Sequence, residues 1–143
     1  MKLSDNFTTE EATRSTKAIQ LGIDNSMDCE TQCRACWMAR QVLQPLRDVV
    51  GQMNISSWYR SPALNKAVGG VPTSEHLNGM AVDFLIDGLT THQTYETTLE
   101  TLKTLQIPFD QLIEERNRKT GVTWVHLGVR KTGNRYETFK LEV

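Results

Sequence analysis

An α+β fold, in which helices flank a small antiparallel sheet, is what this sequence predicts. Three observations lead there. Helical patterning with capping signals fills residues 8–20, 28–50 and 90–105, while short β-prone runs occupy 53–58, 80–86, 109–115 and 122–129. The last two runs are separated only by a charged loop, the geometry of an antiparallel hairpin. Helices and antiparallel strands mixed in this way, with no internal repeat or long linker, point to one α+β domain over residues 1–143.

Thr8 followed by Glu10 and Glu11 resembles a capped helix start, so residues 8–20 form one short helix or two joined by a turn. Gly22 and Asn25 end that pattern. From Asp28 to Val50 comes the longest helical signal, with Ala39, Leu43, Leu46 and Val50 recurring at helical spacing. Pro45 lies inside it and should kink the helix or force a restart. Met53 to Trp58 reads as a strand, followed by a turn at Ser61-Pro62 and a short helix over 63–67. Met80 to Ile86 is a second strand carrying Asp83 in its middle. Thr90 to Gln93 reads as a capping box that opens a helix to about Leu105, with Tyr95, Leu99, Leu102 and Leu105 as its apolar stripe. His92 then falls in the exposed first turn as a surface residue. Arg116 to Gly121 joins the last two strands, and its basic tip reads as solvated loop or as a contact for an anionic wall polymer.

Composition excludes several classes. At 143 residues, 38% hydrophobic and 23% charged, the chain has the size and make-up of one soluble domain with a real core. No apolar run approaches the ~20 residues that span a bilayer. The net charge of −1 gives no global attraction to nucleic acid or anionic membrane. The N-terminus turns polar at once, which fits cytoplasmic synthesis without a signal peptide. Cys29, Cys33 and Cys36 are spaced to share one helix face. They read as packing or semi-exposed thiols, with an auxiliary metal or redox role as the alternative.

The chemistry gathers around Ser74-Glu-His-Leu-Asn-Gly-Met-Ala-Val-Asp83 and Trp124-Val-His126. His76 and Asp83 stand seven residues apart with Gly79 between them, so a tight bend can bring both side chains to one point. His126 lies in an apolar, β-prone run that would hold it rigidly. Two histidines and a carboxylate leave a fourth position open, as catalytic zinc sites do.

Ser57-Trp-Tyr-Arg60-Ser-Pro-Ala-Leu-Asn65 and Val68-Gly-Gly70 complete a constellation with Ser74-x-His76-x-x-Gly79-x-Ala81-x-Asp83 and Trp124-Val-His126. Together they closely resemble the zinc D-Ala-D-Ala carboxypeptidase family, and within it the small phage and prophage peptidoglycan peptidases. The N-terminal segment, Asn6-Phe-Thr8 and Arg14-Ser-Thr16 through Asn25, looks like the family's opening, so the likeness covers nearly the whole chain. The resemblance implies the fold shared with the hedgehog signalling domain, with Zn2+ in a cleft. It implies His76, Asp83 and His126 as metal ligands and Arg60 as the group that holds substrate near the scissile bond. Ser74 is placed to hydrogen-bond the site or its substrate. Trp58 stands where the family has a small residue; it either narrows the cleft, stacks on substrate or packs internally. Asp87, already in the turn with Gly88, is left out of the ligand set.

A proton acceptor is also needed. Some relatives carry an acidic residue three positions before the last histidine, where this chain has Thr123. The phage-type pattern instead selects Glu115, with Glu114 as the rival. Alternate strand residues share a face, so only one of the two can stand beside His126. A loop of Arg118 to Gly121 pairs Ile113 with His126 and puts Glu115 on that face; a register shift of one residue selects Glu114.

These readings converge on a zinc metallopeptidase that hydrolyses peptidoglycan stem peptides, as a D-Ala-D-Ala carboxypeptidase or an L-Ala-D-Glu-type lysin endopeptidase. The alternative from another class is a non-catalytic zinc-binding module of a phage particle. A monomer is favoured, acting on the wall after release or within a phage particle.

Overall fold

The computed structural model describes residues 1–143. Two short helices open the chain, α1 (Thr9–Thr13) and α2 (Thr16–Leu21), each capped by a hydroxyl: Thr8 accepts from Glu11 N and Ser15 from Ala18 N. Asp28 caps α3 (Cys29–Met38), which runs on through a π turn (Ala39–Leu43) into α4 (Gln44–Val50). Pro45 therefore neither breaks nor restarts the helix. The wider π turn, closed by Gln44 N donating to Ala39 O, absorbs the proline that an unbroken α ladder would reject. Ala39, Leu43 and Leu46 are fully buried, as their spacing predicts.

Strand β1 (Met53–Ser57) leads to α5 (Pro62–Ala67), a 3-10 turn (Glu75–Asn78) and β2 (Ala81–Ile86). Helix α6 (Thr91–Thr104) follows with the capping box in place between Thr90 and Gln93. Strands β3 (Gln111–Arg116), β4 (Thr123–Gly128) and β5 (Glu137–Glu142) complete the chain. The sheet order is β1-β2-β4-β3-β5. All neighbours are antiparallel except β3 and β5, which run parallel. No strand is apparent in the sequence after Val129, so β5 turns an antiparallel sheet into a mostly antiparallel one.

Strand alternation gives the sheet two unlike faces. Ile55, Val82, Phe84, Ile86, Leu112, Val125 and Leu127 belong to one buried apolar cluster with Met38, Val42, Leu43 and Leu46 of the long helix. Helix α6 packs on β2, β3 and β4. Its deepest row is Thr94, Thr98, Thr101 and Leu102, while Tyr95 and Leu99 are half-buried and Leu105 is exposed. The predicted stripe is therefore rotated by about one residue. Thr94 Oγ1 accepts the Ile86 backbone N–H at 3.1 Å, which draws the small threonines rather than the leucines against the sheet. No helix is long and apolar enough to cross a membrane.

Candidate active site

The other face of the sheet floors a cleft of about 800 Å³, within the size range of ligand pockets. Across that face Asp83 of β2 stands opposite His126 of β4, which stands opposite Ile113 of β3. His76 arrives from the rim. The 3-10 turn that carries it is capped by Ser74 Oγ, which accepts from His76 N at 3.2 Å. It is closed by Gly79 at φ +71°, a left-handed conformation that suits glycine and swings the chain into β2. That reversal brings His76 and Asp83 together.

His76 Nε2 lies 3.3 Å and His126 Nδ1 3.0 Å from the same oxygen, Asp83 Oδ1. The three candidate ligand atoms lie within 4.8 Å of one another. Donors 2.0–2.1 Å from a tetrahedral zinc ion stand about 3.3 Å apart, so the spacing fits. Protonation fits as well. His76 Nδ1 is 2.5 Å from Trp58 O, which can only accept, so the ring hydrogen is there and Nε2 turns its lone pair to the carboxylate. Two lone pairs facing each other want a cation between them. Burial pushes the His76 pKa down, which disfavours a proton in that role and leaves the pair suited to a metal ion. Burial opposes ionisation of Asp83, but the neighbouring His76 and then His126 prevail and hold its carboxyl well below the usual range. Burial also opposes charge on His126, and there the Asp83 hydrogen bond and charge prevail and raise its pKa.

Arg60 is engaged more closely than the sequence indicates. Its Nη2 donates to Asp83 Oδ2 at 3.2 Å, Nε to Ser57 Oγ at 3.3 Å and Nη1 to Asn65 Oδ1 at 3.4 Å. The arginine thus holds the outer oxygen of Asp83 while Oδ1 faces both histidines. One hydrogen on each terminal nitrogen remains free to bind an incoming acceptor.

The two glutamates part company in the strand. Asn117 N donates to Val122 O and Ile113 pairs with His126, so Glu115 pairs with Trp124 on the cleft face. Glu115 Oε2 accepts from Trp124 Nε1 at 2.5 Å. Burial, reinforced by the negative charge of Asp83, raises its pKa, as suits a proton acceptor. Glu114 points to the helical side, where Oε1 pairs with His92 Nδ1 at 2.8 Å. His92 is half exposed and also meets Glu96 at 2.9 Å, so it is a surface residue, though an ion-paired one.

Trp58 takes the packing role and not the substrate role. It is 1% exposed, stacks edge-on to Phe7 and donates from Nε1 to Gly79 O at 2.8 Å. Asp87 follows the end of β2 and pairs with Asn54, away from the ligand set. Thr123 meets Thr91. The three cysteines are free, with Cys29 and Cys33 exposed, and do not gather as a group. The basic hairpin tip is exposed and tied in part to Glu142 through Arg116 and Arg118.

A second polar cluster behind the site goes unread in the sequence. Glu75, adjacent to His76, accepts from Arg130 Nε at 3.2 Å. Asp110 is fully buried and held bidentately by Arg135, from Nε at 3.0 Å and Nη2 at 2.8 Å, with Arg130 at 3.4 Å. Burial, and then the neighbouring Asp110, pushes the Glu75 pKa up to about 7. Burial works against ionised Asp110 too, but the Arg135 hydrogen bonds keep its carboxyl well below the usual range. The position of Glu75 inside the histidine motif is the one sequence signal for this cluster.

No curated protein matches the chain. The family described as Peptidase M15 matches residues 5–126, a span that takes in Arg60, His76, Asp83, Glu115 and His126.

Proposed function

The chain belongs to the peptidase M15 family, and from that membership we propose a zinc-dependent peptidase that hydrolyses peptidoglycan stem peptides beside a D-amino acid. The observation that carries the reading is the meeting of His76, Asp83 and His126 on the cleft floor with Glu115 on the same sheet face. His76 Nε2, one Asp83 oxygen and His126 Nδ1 would hold the ion. Bound there, zinc supplies a Lewis acid and makes water acidic enough to attack near neutral pH.

The chain's own residues supply the rest. Glu115, partly buried and restrained by the Trp124 indole, takes the proton from the attacking water and returns it to the leaving amine. Its tie to Trp124 fixes the carboxylate over the floor, so little reorganisation accompanies proton transfer. Arg60 steadies Asp83 and offers its two spare N–H groups to a substrate carboxylate or to the oxyanion that develops during attack. Ser74, whose hydroxyl caps the turn beneath His76, keeps that histidine in place and lines the cleft where substrate would lie. Phe139, Leu141 and Val143 offer an apolar wall to alanine methyl groups. The chain would meet the wall after release from the cell or within a phage particle.

Digestion of purified peptidoglycan, with fragments identified by mass spectrometry, tests the reading. Cleavage is expected to stop on chelation and return on adding zinc. Free D-alanine would identify a carboxypeptidase and shortened stems without it an endopeptidase. Zinc binding without cleavage of any wall preparation would refute the enzyme and support a non-catalytic binding module.

A further inference from the structure

Asn65 and Gly70 belong to the sequence constellation, yet Asn65 hydrogen-bonds to none of the three candidate ligands. Asparagine is a poor helix residue, because its amide competes for nearby backbone groups. Here it is buried within the short helix α5. What the amide holds accounts for its place. Its Oδ1 accepts from Arg60 Nη1 at 3.4 Å and its Nδ2 donates to Val71 O at 3.0 Å. The Asn65 backbone carbonyl accepts from Gly70 N at 2.9 Å. One residue therefore ties the loop after α5 to the guanidinium.

Gly70 is glycine for space and not for conformation, since its φ is not positive. A Cβ there would lie 2.1 Å from Asn65 Oδ1, 2.8 Å from Asn65 Cγ and 3.1 Å from Arg60 Nη1. Any side chain would push the amide off the guanidinium, so only glycine admits this approach. The loop itself forms a rim of the cleft, where Val68 and Val71 are exposed. Of the groups that hold Arg60, Asp83 Oδ2 takes Nη2 and Ser57 Oγ takes Nε, so Nη1 depends on Asn65. A neutral acceptor fixes the fork without adding a second counter-charge. The cation keeps its attraction for a carboxylate or an oxyanion.

We propose that Asn65 is a positioning residue for Arg60: its amide bridges the cleft rim at Val71 to Nη1 and aims the spare N–H groups of the guanidinium at substrate. The same side chain keeps rim and cation at a fixed spacing, and Gly70 leaves the room it needs. The inference rests on Arg60 meeting substrate, as the functional reading has it.

Steady-state cleavage of muropeptides released from purified peptidoglycan is the test, in zinc-loaded wild type, Asn65→Ala, Gly70→Ala and the double variant. Each single variant should lose roughly 10–100-fold in kcat/KM, as misplacing a substrate-holding group does, with zinc stoichiometry unchanged. The two losses should not add. Once the amide is gone the new methyl has room, so the double variant should match Asn65→Ala. In 15N-labelled protein the Arg60 Nε–H, assigned by its absence from Arg60→Lys, should exchange more slowly in wild type than in either single variant. Circular dichroism melts show whether each variant is folded, and Gly70→Ala, altered outside the buried core, decides alone if Asn65→Ala is unfolded. Folded variants with wild-type kcat/KM would overturn this inference alone. So would losses that add in the double variant, or Arg60 exchange that is the same in all. A wild type that cleaves no muropeptide would overturn the functional reading and this inference with it.

Discussion

Glu114 and Glu115 are chemically identical neighbours, and the sheet sends them to opposite fates. Glu115 faces the cleft with His126 and Trp124, half-buried and with its pKa raised. Glu114 faces the helices and pairs with His92. The same division runs through β2, where Asp83 faces the histidines and Phe84 beside it enters the core. On the central strands β2, β3 and β4 one face is mostly apolar and holds the helices, and the other carries ionisable groups that would cost stability without partners. The lesson is that the strand period decides which carboxylates can do chemistry, and the rigid apolar face makes the reactive face precise.

Substitutions on alternate strand positions sharpen this contrast. Glu115→Gln should lower kcat on peptidoglycan by roughly 10²–10⁴-fold with zinc affinity kept, as loss of a general base does. A smaller loss would move the base elsewhere. On the helical face, Leu112→Ala should cost about 2–5 kcal/mol in urea unfolding and leave the zinc stoichiometry of the folded protein unchanged. Loss of zinc binding there would mean that the two faces are not separable.

Asp110→Asn should cost about 1–3 kcal/mol at neutral pH, because Arg135 and Arg130 lose a buried ionised partner. Its folded pKa lies below the unfolded one, so the contribution is present above the unfolded carboxylate range near ~3.9 and is lost as pH falls below it. The Tm gap between wild type and Asp110→Asn should therefore narrow below about pH 4. A gap that persists in acid would assign the effect to shape and not charge. Glu114→Gln should change stability by no more than about 0.5 kcal/mol and leave turnover near wild type. A large activity loss there would reverse the assignment of the two faces.

Much of this was legible because the decisive signals are local. Capping hydroxyls at Thr8 and Thr90, the glycine between His76 and Asp83, and the length of the 117–122 loop each act within a few residues. That loop length set the register and therefore the face of Glu115. Strand β5 was not legible, since Glu137–Glu142 is largely exposed and owes its conformation to parallel pairing with β3, from which β4 separates it in sequence. Nor was the tilt of α6, because Thr94 turns inward to reach a backbone amide of β2. The grip of Arg60 on Asp83 and the Glu75–Asp110–Arg130–Arg135 cluster join residues 20 to 55 positions apart, and no local pattern encodes them.

Calorimetric titration of the metal-free protein with zinc, in wild type, Asp83→Ala and His126→Ala, tests the central claim most directly. Wild type should take up one ion per chain. Each variant, missing a ligand itself and not an outer partner, should lose more than about 100-fold in affinity. No uptake by wild type would contradict the account, as would undiminished binding in both variants, which would move the metal to the cysteines of α3.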